Sequence, residues 1–157
     1  GVLAGLHVAL QVDGELAGLI MYEEVLWRDY FSARIDVALG GTRVGRGLGT
    51  EAVWLLARWL IEVGGHHRIT IDPAAANARA IRAYEKVGFV VEGVLRQVLR
   101  DGDDWVDAVV MSILAPEWAA QAARPWWDYR SPYCSRSVPM NRCCSVASRR
   151  RCWAWRA

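Results

Sequence analysis

The first 118 residues contain no cysteine; all four, Cys134, Cys143, Cys144 and Cys152, lie beyond them. That absence excludes thiol catalysis from the patterned part of the chain. The four tail cysteines fit no structural zinc site, which needs ligand pairs two to four residues apart. No apolar run reaches the ~20 residues that span a bilayer. The opening "GVLAGLHVALQVDG" has no basic lead-in and meets Asp13 early. It does not read as a signal peptide, so the expectation is a cytoplasmic protein with no membrane partner. No internal repeat is present. Global disorder is excluded by a hydrophobic content of 54%, and the length suits one domain.

The near-neutral total charge hides a split. Residues 119–157 hold eight Arg against one acid, Asp128; with 19 basic and 17 acidic residues overall, the first 118 carry about −5 and the remainder +7. An acidic body favours cationic partners and disfavours nucleic acid. The tail mixes Arg, Ser, Cys, Pro and Trp without helical or strand period. Interleaved Arg and Trp suit a nucleic-acid arm; the alternative expected here is a disordered or non-native extension.

Before the tail, patterning is regular. "LHVALQVDGELAGLIMYEE" alternates apolar and polar residues around Asp13-Gly14, a hairpin turn dipeptide. "SARIDVAL" is a third strand with Ala33, Ile35 and Val37 on one face. Val53, Leu56, Leu60 and Val63 follow helical spacing over Thr50–Val63, and Gly64-Gly65 ends that helix. Trp54 and Trp59 read as core. "HRITI" is a short strand stopped at Asp72-Pro73. Asn77 caps a helix over Ala78–Val87, with Gly88 as its C-terminal stop. "FVVEGVLRQVL", with a bulge at Gly93, and "WVDAVVMSIL" are strands joined by the turn "DGDD". Helices interleave with strands only in the middle. An α/β (α+β) fold follows, its mixed sheet parallel at the centre and antiparallel outside.

Three glycines precede the first helix in "RVGRGLGTEA". A P-loop needs Lys then Ser or Thr after its last glycine; Gly49 is followed by Thr50-Glu51. A dinucleotide fingerprint starting at Gly45 needs glycine where Thr50 stands. Two readings stay open: a connecting turn, or a backbone cradle for a pyrophosphate at a helix N-terminus, helped by Arg43 and Arg46.

The sequence "VGRGLGT" followed by "IDPAAANARAIRAYEKVGF" resembles the GNAT family of N-acetyltransferases, over roughly Leu6 to Leu114. The family's loop, Gln/Arg-x-x-Gly-x-Gly/Ala, is matched from Val44 to Gly49 except at its first position, where Val44 stands. The resemblance is strongest to enzymes that acetylate the 6′ amine of aminoglycoside antibiotics. It implies a mixed sheet, flanked by helices, whose central strands, "SARIDVAL" and "HRITI", splay to admit acetyl-CoA, with no metal. It further implies a cosubstrate site made of Val37, Leu39, Arg43, Val44, Gly45, Arg46, Gly47, Leu48, Gly49, Thr50, Asn77, Ala80 and Tyr84. Tyr84 would serve the leaving sulfur. Residues 1–118 would form this domain without the strand and helices with which the family begins, leaving an exposed edge open to dimerisation.

Acetyl transfer needs a neutral amine and a stabilised thiolate. Asp36, on an otherwise apolar strand, is the expected base or amine ligand, because an unpaired buried carboxylate is costly. Asp72 supports it, and Glu23 and Glu24 are expected along the same cleft as ligands of a small-molecule amine. Each residue has a structural alternative. Asp72 turns the chain before Pro73, Asp36 pairs with Arg34 or Arg46 on an exposed face, and Tyr84 packs. Glu23 and Glu24 would then be solvated strand-end charges, and His66 and His67 sit in a turn. Two other functions compete: acetylation of protein N-termini or lysines of the ribosomal-protein type, and a CoA-binding module without activity.

Overall fold

The computed structural model of the chain describes residues 3–27, 29–41 and 45–122. The elements run β1 (Leu3–Val12), β2 (Glu15–Trp27), β3 (Tyr30–Leu39), α1 (Leu48–Glu62), β4 (Arg68–Ile71), α2 (Ala78–Val87), β5 (Val90–Asp101), β6 (Asp104–Leu114) and α3 (Ala115–Ala122). Six strands form one sheet in the order β1-β2-β3-β4-β6-β5. Among the described residues only β3 and β4 pair in parallel; β1–β2, β2–β3, β4–β6 and β5–β6 are antiparallel. The mixed sheet expected from the sequence is therefore present.

Local chemistry explains the boundaries. Asp13 and Gly14 both take positive φ, 53° and 83°, as the primed turn of a two-residue hairpin demands. Asn77 caps α2, its side chain accepting from the Ala80 amide at 3.1 Å. Gly88, at φ 108°, donates its N–H to the carbonyls of Tyr84 and Glu85 and closes that helix. The expected bulge at Gly93 is a register shift between Val91 and Gly93. A second shift, between Leu95 and Leu99, has no glycine to announce it. Gln97 adopts φ 50° there, and its amide donates to Asp107 Oδ1 at 2.9 Å.

The core lies between one face of the sheet and the helices. Ala33 and Ile35 of β3, Ile69 and Ile71 of β4 and Met111 and Ile113 of β6 meet Val53, Leu56 and Leu60 of α1 and Tyr84 and Val87 of α2. Trp54 and Trp59 pack against this cluster half-buried. Period-2 alternation sends Arg34 and Asp36 to the opposite, open face.

The sequence pattern ends at Trp118, but helix α3 runs on to Ala122. It starts where the Leu114 amide donates to Glu117 Oε2 at 2.9 Å, half of a capping box without the usual Ser or Thr. Trp118 anchors it. Its ring is buried 5.6 Å from that of Trp54, and its Nε1 donates to Glu62 Oε1 at 3.0 Å. The expectations for the tail beyond Ala122 lie outside the described residues. Among the described residues no helix is long and apolar enough to cross a membrane.

Candidate active site

The central strands separate. β3 and β4 are paired only at Ser32–Arg68, Ala33–Ile69 and Arg34–Thr70. Beyond that point β3 stays with β2 as far as Leu39. The chain leaving β4 instead follows β6: Val109 N donates to Pro73 O at 2.9 Å and Ala75 N to Asp107 O at 2.8 Å. A gap opens between them. The Gly40 amide donates to Ala17 O across β2–β3, so antiparallel alternation turns the amides of Val37 and Leu39 away from β2 and into the gap.

The glycine turn sits at the wide end of this gap. Gly45 and Gly47 have φ of 82° and 77°, a region costly for residues with a Cβ. A Cβ at Gly49 would stand 3.3 Å from Leu39 Cδ1, so the helix start seats directly against β3. Gly47 is the N-cap of α1 and offers no side-chain acceptor. The N-cap residue therefore puts no side chain over the first amides of that helix, an arrangement suited to an anionic oxygen. A glycine turn with two positive φ angles at a helix start, beside strand amides facing an open gap, fits a pyrophosphate and its pantetheine arm. Arg46 is exposed beside it; Arg43 and Val44 lie outside the described residues. Asn77 uses its side-chain oxygen as the α2 cap, leaving its amide nitrogen as the remaining donor. Ala80 is half-buried one turn on, against the core.

Tyr84 is 6% exposed. Its hydroxyl pKa is pushed up to about 12, first by burial and then by the nearby negative charge of Asp36. Tyr84 lies on the helix side and Asp36 on the open face, near enough for the carboxylate's charge to act on the hydroxyl. A hydroxyl so raised stays protonated.

The four carboxylates expected in one cleft are divided by the fold. Asp36 is on the open face and exposed. It is not the buried carboxylate the apolar strand suggested, because even-numbered β3 residues turn away from the core. Its Oδ1 accepts from the Val37 amide at 2.7 Å. Glu23 is also on the open face, opposite Arg34 in register. Glu24, one residue on, points to the other face and meets His66 with Nε2–Oε1 3.2 Å. His66, in the connection between α1 and β4, is 2% exposed. Its Nδ1 donates to Leu60 O at 2.9 Å, while its Nε2 is out of line for a hydrogen bond with Glu24.

Asp72 is held by Arg34, not by a free neighbour of the gap. Arg34 Nε donates to Oδ1 at 2.8 Å and Nη2 to Oδ2 at 2.7 Å. The bridge crosses from β3 to the end of β4 at the apex of the gap. Sequence reasoning considered Arg34 as a partner for Asp36, its neighbour but one. The true partner depended on the parallel register, which no local signal carries. A further group on the open face also went unseen. Arg68 donates through Nη1 to Glu92 Oε1 at 2.7 Å and through Nη2 to Oε2, and Ser112 Oγ donates to Oε1 at 2.8 Å. Arg68, then Ser112, hold the Glu92 carboxyl down at about 2.

Comparison with known proteins agrees with this geometry. Residues 3–89 match the model of the Acetyltransferase (GNAT) family. The chain is 30% identical over 105 residues to a probable N-acetyltransferase, YjcK, of Bacillus subtilis, covering 67% of this chain and 58% of that protein. It is 40% identical over 62 residues to a kanamycin resistance protein of Rhizobium radiobacter, covering 39% of this chain and 57% of that one. Among solved structures, Mycobacterium smegmatis RimJ in complex with CoA-disulfide superposes with a TM-score of 0.74 at 25% identity, covering 81% of this chain and 61% of that chain. Aminoglycoside N(6′)-, spermidine N(1)- and ribosomal protein uS5-alanine acetyltransferases also match. The chain thus spans somewhat under three fifths of the two curated relatives just described. A splayed parallel pair beside a glycine-turned helix start, with a family match over more than half of the residues, has one conclusion: the chain belongs to the GNAT acetyltransferase family.

Proposed function

We propose that this chain transfers the acetyl group of acetyl-CoA to a primary amine of a cationic small molecule, with the 6′ amine of an aminoglycoside as first choice. The observation that carries the reading is the gap beyond Arg34–Thr70, with β3 amides turned into it. Acetyl-CoA, when bound, supplies a thioester whose carbonyl carbon a neutral amine attacks, breaking the C–S bond.

The chain's own groups divide the remaining work. The amides at Gly45–Thr50, with Arg46 and Arg43, would hold the pyrophosphate. The amide of Leu39, with Asn77 and Ala80, would align the arm and meet the developing oxyanion, while the Val37 amide holds Asp36 Oδ1. Asp36 would receive the ammonium and take its proton. Tyr84 would donate to the departing sulfur. Full proton transfer from Tyr84 is uphill, because its pKa of about 12 lies ~3.5 units above a thiol at ~8.5, close to 5 kcal/mol. Tyr84 therefore acts as a charge-assisted hydrogen-bond donor to the thiolate, not as a proton source.

The open face supports a cationic acceptor through Glu23 and Asp36, and a kanamycin resistance protein is among the relatives. The test is thiol release from acetyl-CoA with kanamycin, spermidine and an alanine-terminated peptide, beside a thermal shift with CoA. Release with kanamycin above the other two is expected. Turnover of the peptide alone would move the acceptor to protein N-termini. Stabilisation by CoA without release from any amine would reduce the chain to a binding module.

A further inference from the structure

The charge offered to an acceptor is decided by a residue the family motifs do not include. This inference rests on the acceptor face proposed above and concerns which amines it can hold. Arg34 and Asp36 are two apart on one face of β3, so their Cα atoms stand ~7 Å apart. Glu23 is directly opposite Arg34, ~5.5 Å away between Cα atoms in a hydrogen-bonded antiparallel pair. Asp72 reaches the same spot from the end of β4 and is mostly covered, its side chain 13% exposed against 54% for Arg34. Without Arg34, the open face would present two anionic loci about one diamine length apart, Asp36 at one and Asp72 with Glu23 at the other.

Arg34 occupies the second locus with its own guanidinium. Its bonds to Asp72, one from Nε and one from Nη2, form a short two-point pair. Among the described residues no cation pairs with Asp36. We infer that Arg34 is a specificity-determining residue: a tethered cation that fills the Asp72 subsite and leaves Asp36 to hold the reacting amine. An acceptor's second ammonium must then compete with an intramolecular guanidinium whose effective concentration no free ligand matches. Polyamines lose a contact that a single amine never had.

The test is calorimetric binding to the full chain at low salt with CoA present, using spermidine, kanamycin and benzylamine. Arg34→Gln should tighten spermidine and kanamycin roughly five- to tenfold, the scale of one ordinary net hydrogen bond at a site as exposed as this one, and leave benzylamine within about twofold. The Arg34→Gln/Asp72→Asn double variant restores a neutral pair and should return the polyamines to their original affinity. Both variants need an unchanged far-ultraviolet spectrum. Unchanged or weaker spermidine binding in Arg34→Gln, or a double variant as tight as the single one, would overturn the inference. So would absence of polyamine binding by wild type and Arg34→Gln alike. Because the readout is binding, the expected affinities without thiol release would sink the acetyltransferase reading and leave Arg34 its role.

Discussion

Tyr84→Phe removes one hydroxyl and keeps a ring that is 6.4 Å from Phe89 in the core. Two magnitudes follow from the same raised pKa. The first concerns turnover. If Tyr84 donates to a thiolate without surrendering its proton, the loss is one hydrogen bond to a charged group, about 1.5–3 kcal/mol. That is a fall in kcat of roughly 10- to 150-fold, with CoA affinity nearly unchanged. The second concerns stability. The folded-state pKa is raised from 10.0 to about 12, so the contribution is complete below pH 10 and is lost as pH rises through 12. Two units set its limit at about 3 kcal/mol, of which about 1.4 kcal/mol is gone by pH 11. Wild type should therefore lose more stability than Tyr84→Phe between pH 9 and pH 11 in urea denaturation. At neutral pH the two should agree within about 1 kcal/mol. Parallel alkaline losses would refute the burial argument. An unaltered kcat would remove Tyr84 from the chemistry even if the alkaline difference appeared.

Other expectations are narrower. Gly47→Ala forces a Cβ onto φ 77° and should cost about 1–2 kcal/mol of stability, with weaker CoA binding in a thermal shift; equal stability would mean the turn relaxes freely. Glu92 is held at about 2 by Arg68 and Ser112, so its contribution is present above pH 4.5 and fades as pH falls toward 2. With 39% side-chain exposure, screening reduces it to about 1 kcal/mol, and Glu92→Gln should flatten that part of the acid-unfolding curve. His66→Leu removes a buried donor to Leu60 O and the neighbour of Glu24; a loss of about 1–3 kcal/mol is expected in urea, and a change below 0.5 kcal/mol would mean that pair contributes nothing.

Much was legible in the order of residues because its causes are local. Asp13-Gly14, Asn77 and Gly88 act through backbone angles and a cap within four residues, so their elements fell where the sequence placed them. The glycines of "RVGRGLGTEA" are explained by two positive φ values and one close approach to Leu39, and the motif around them named the family. Leu114 and Glu117 form a half capping box without its usual Ser or Thr, and α3 depends on Trp118 packing against Trp54, a contact with no local signal.

What the chain order could not decide was which charges meet. Glu23 and Glu24 are neighbours, yet alternation along β2 sends one to the open face and the other to His66. Asp36 looked buried among apolar residues and is exposed, because those residues face the other way. Arg34 and Asp72 are 38 positions apart, and only the parallel register of β3 on β4 brings them together. Local angles and periodicities are properties of a few consecutive residues and can be read from them. The charge of the acceptor face is a property of strand pairing, and it exists only once the sheet has formed.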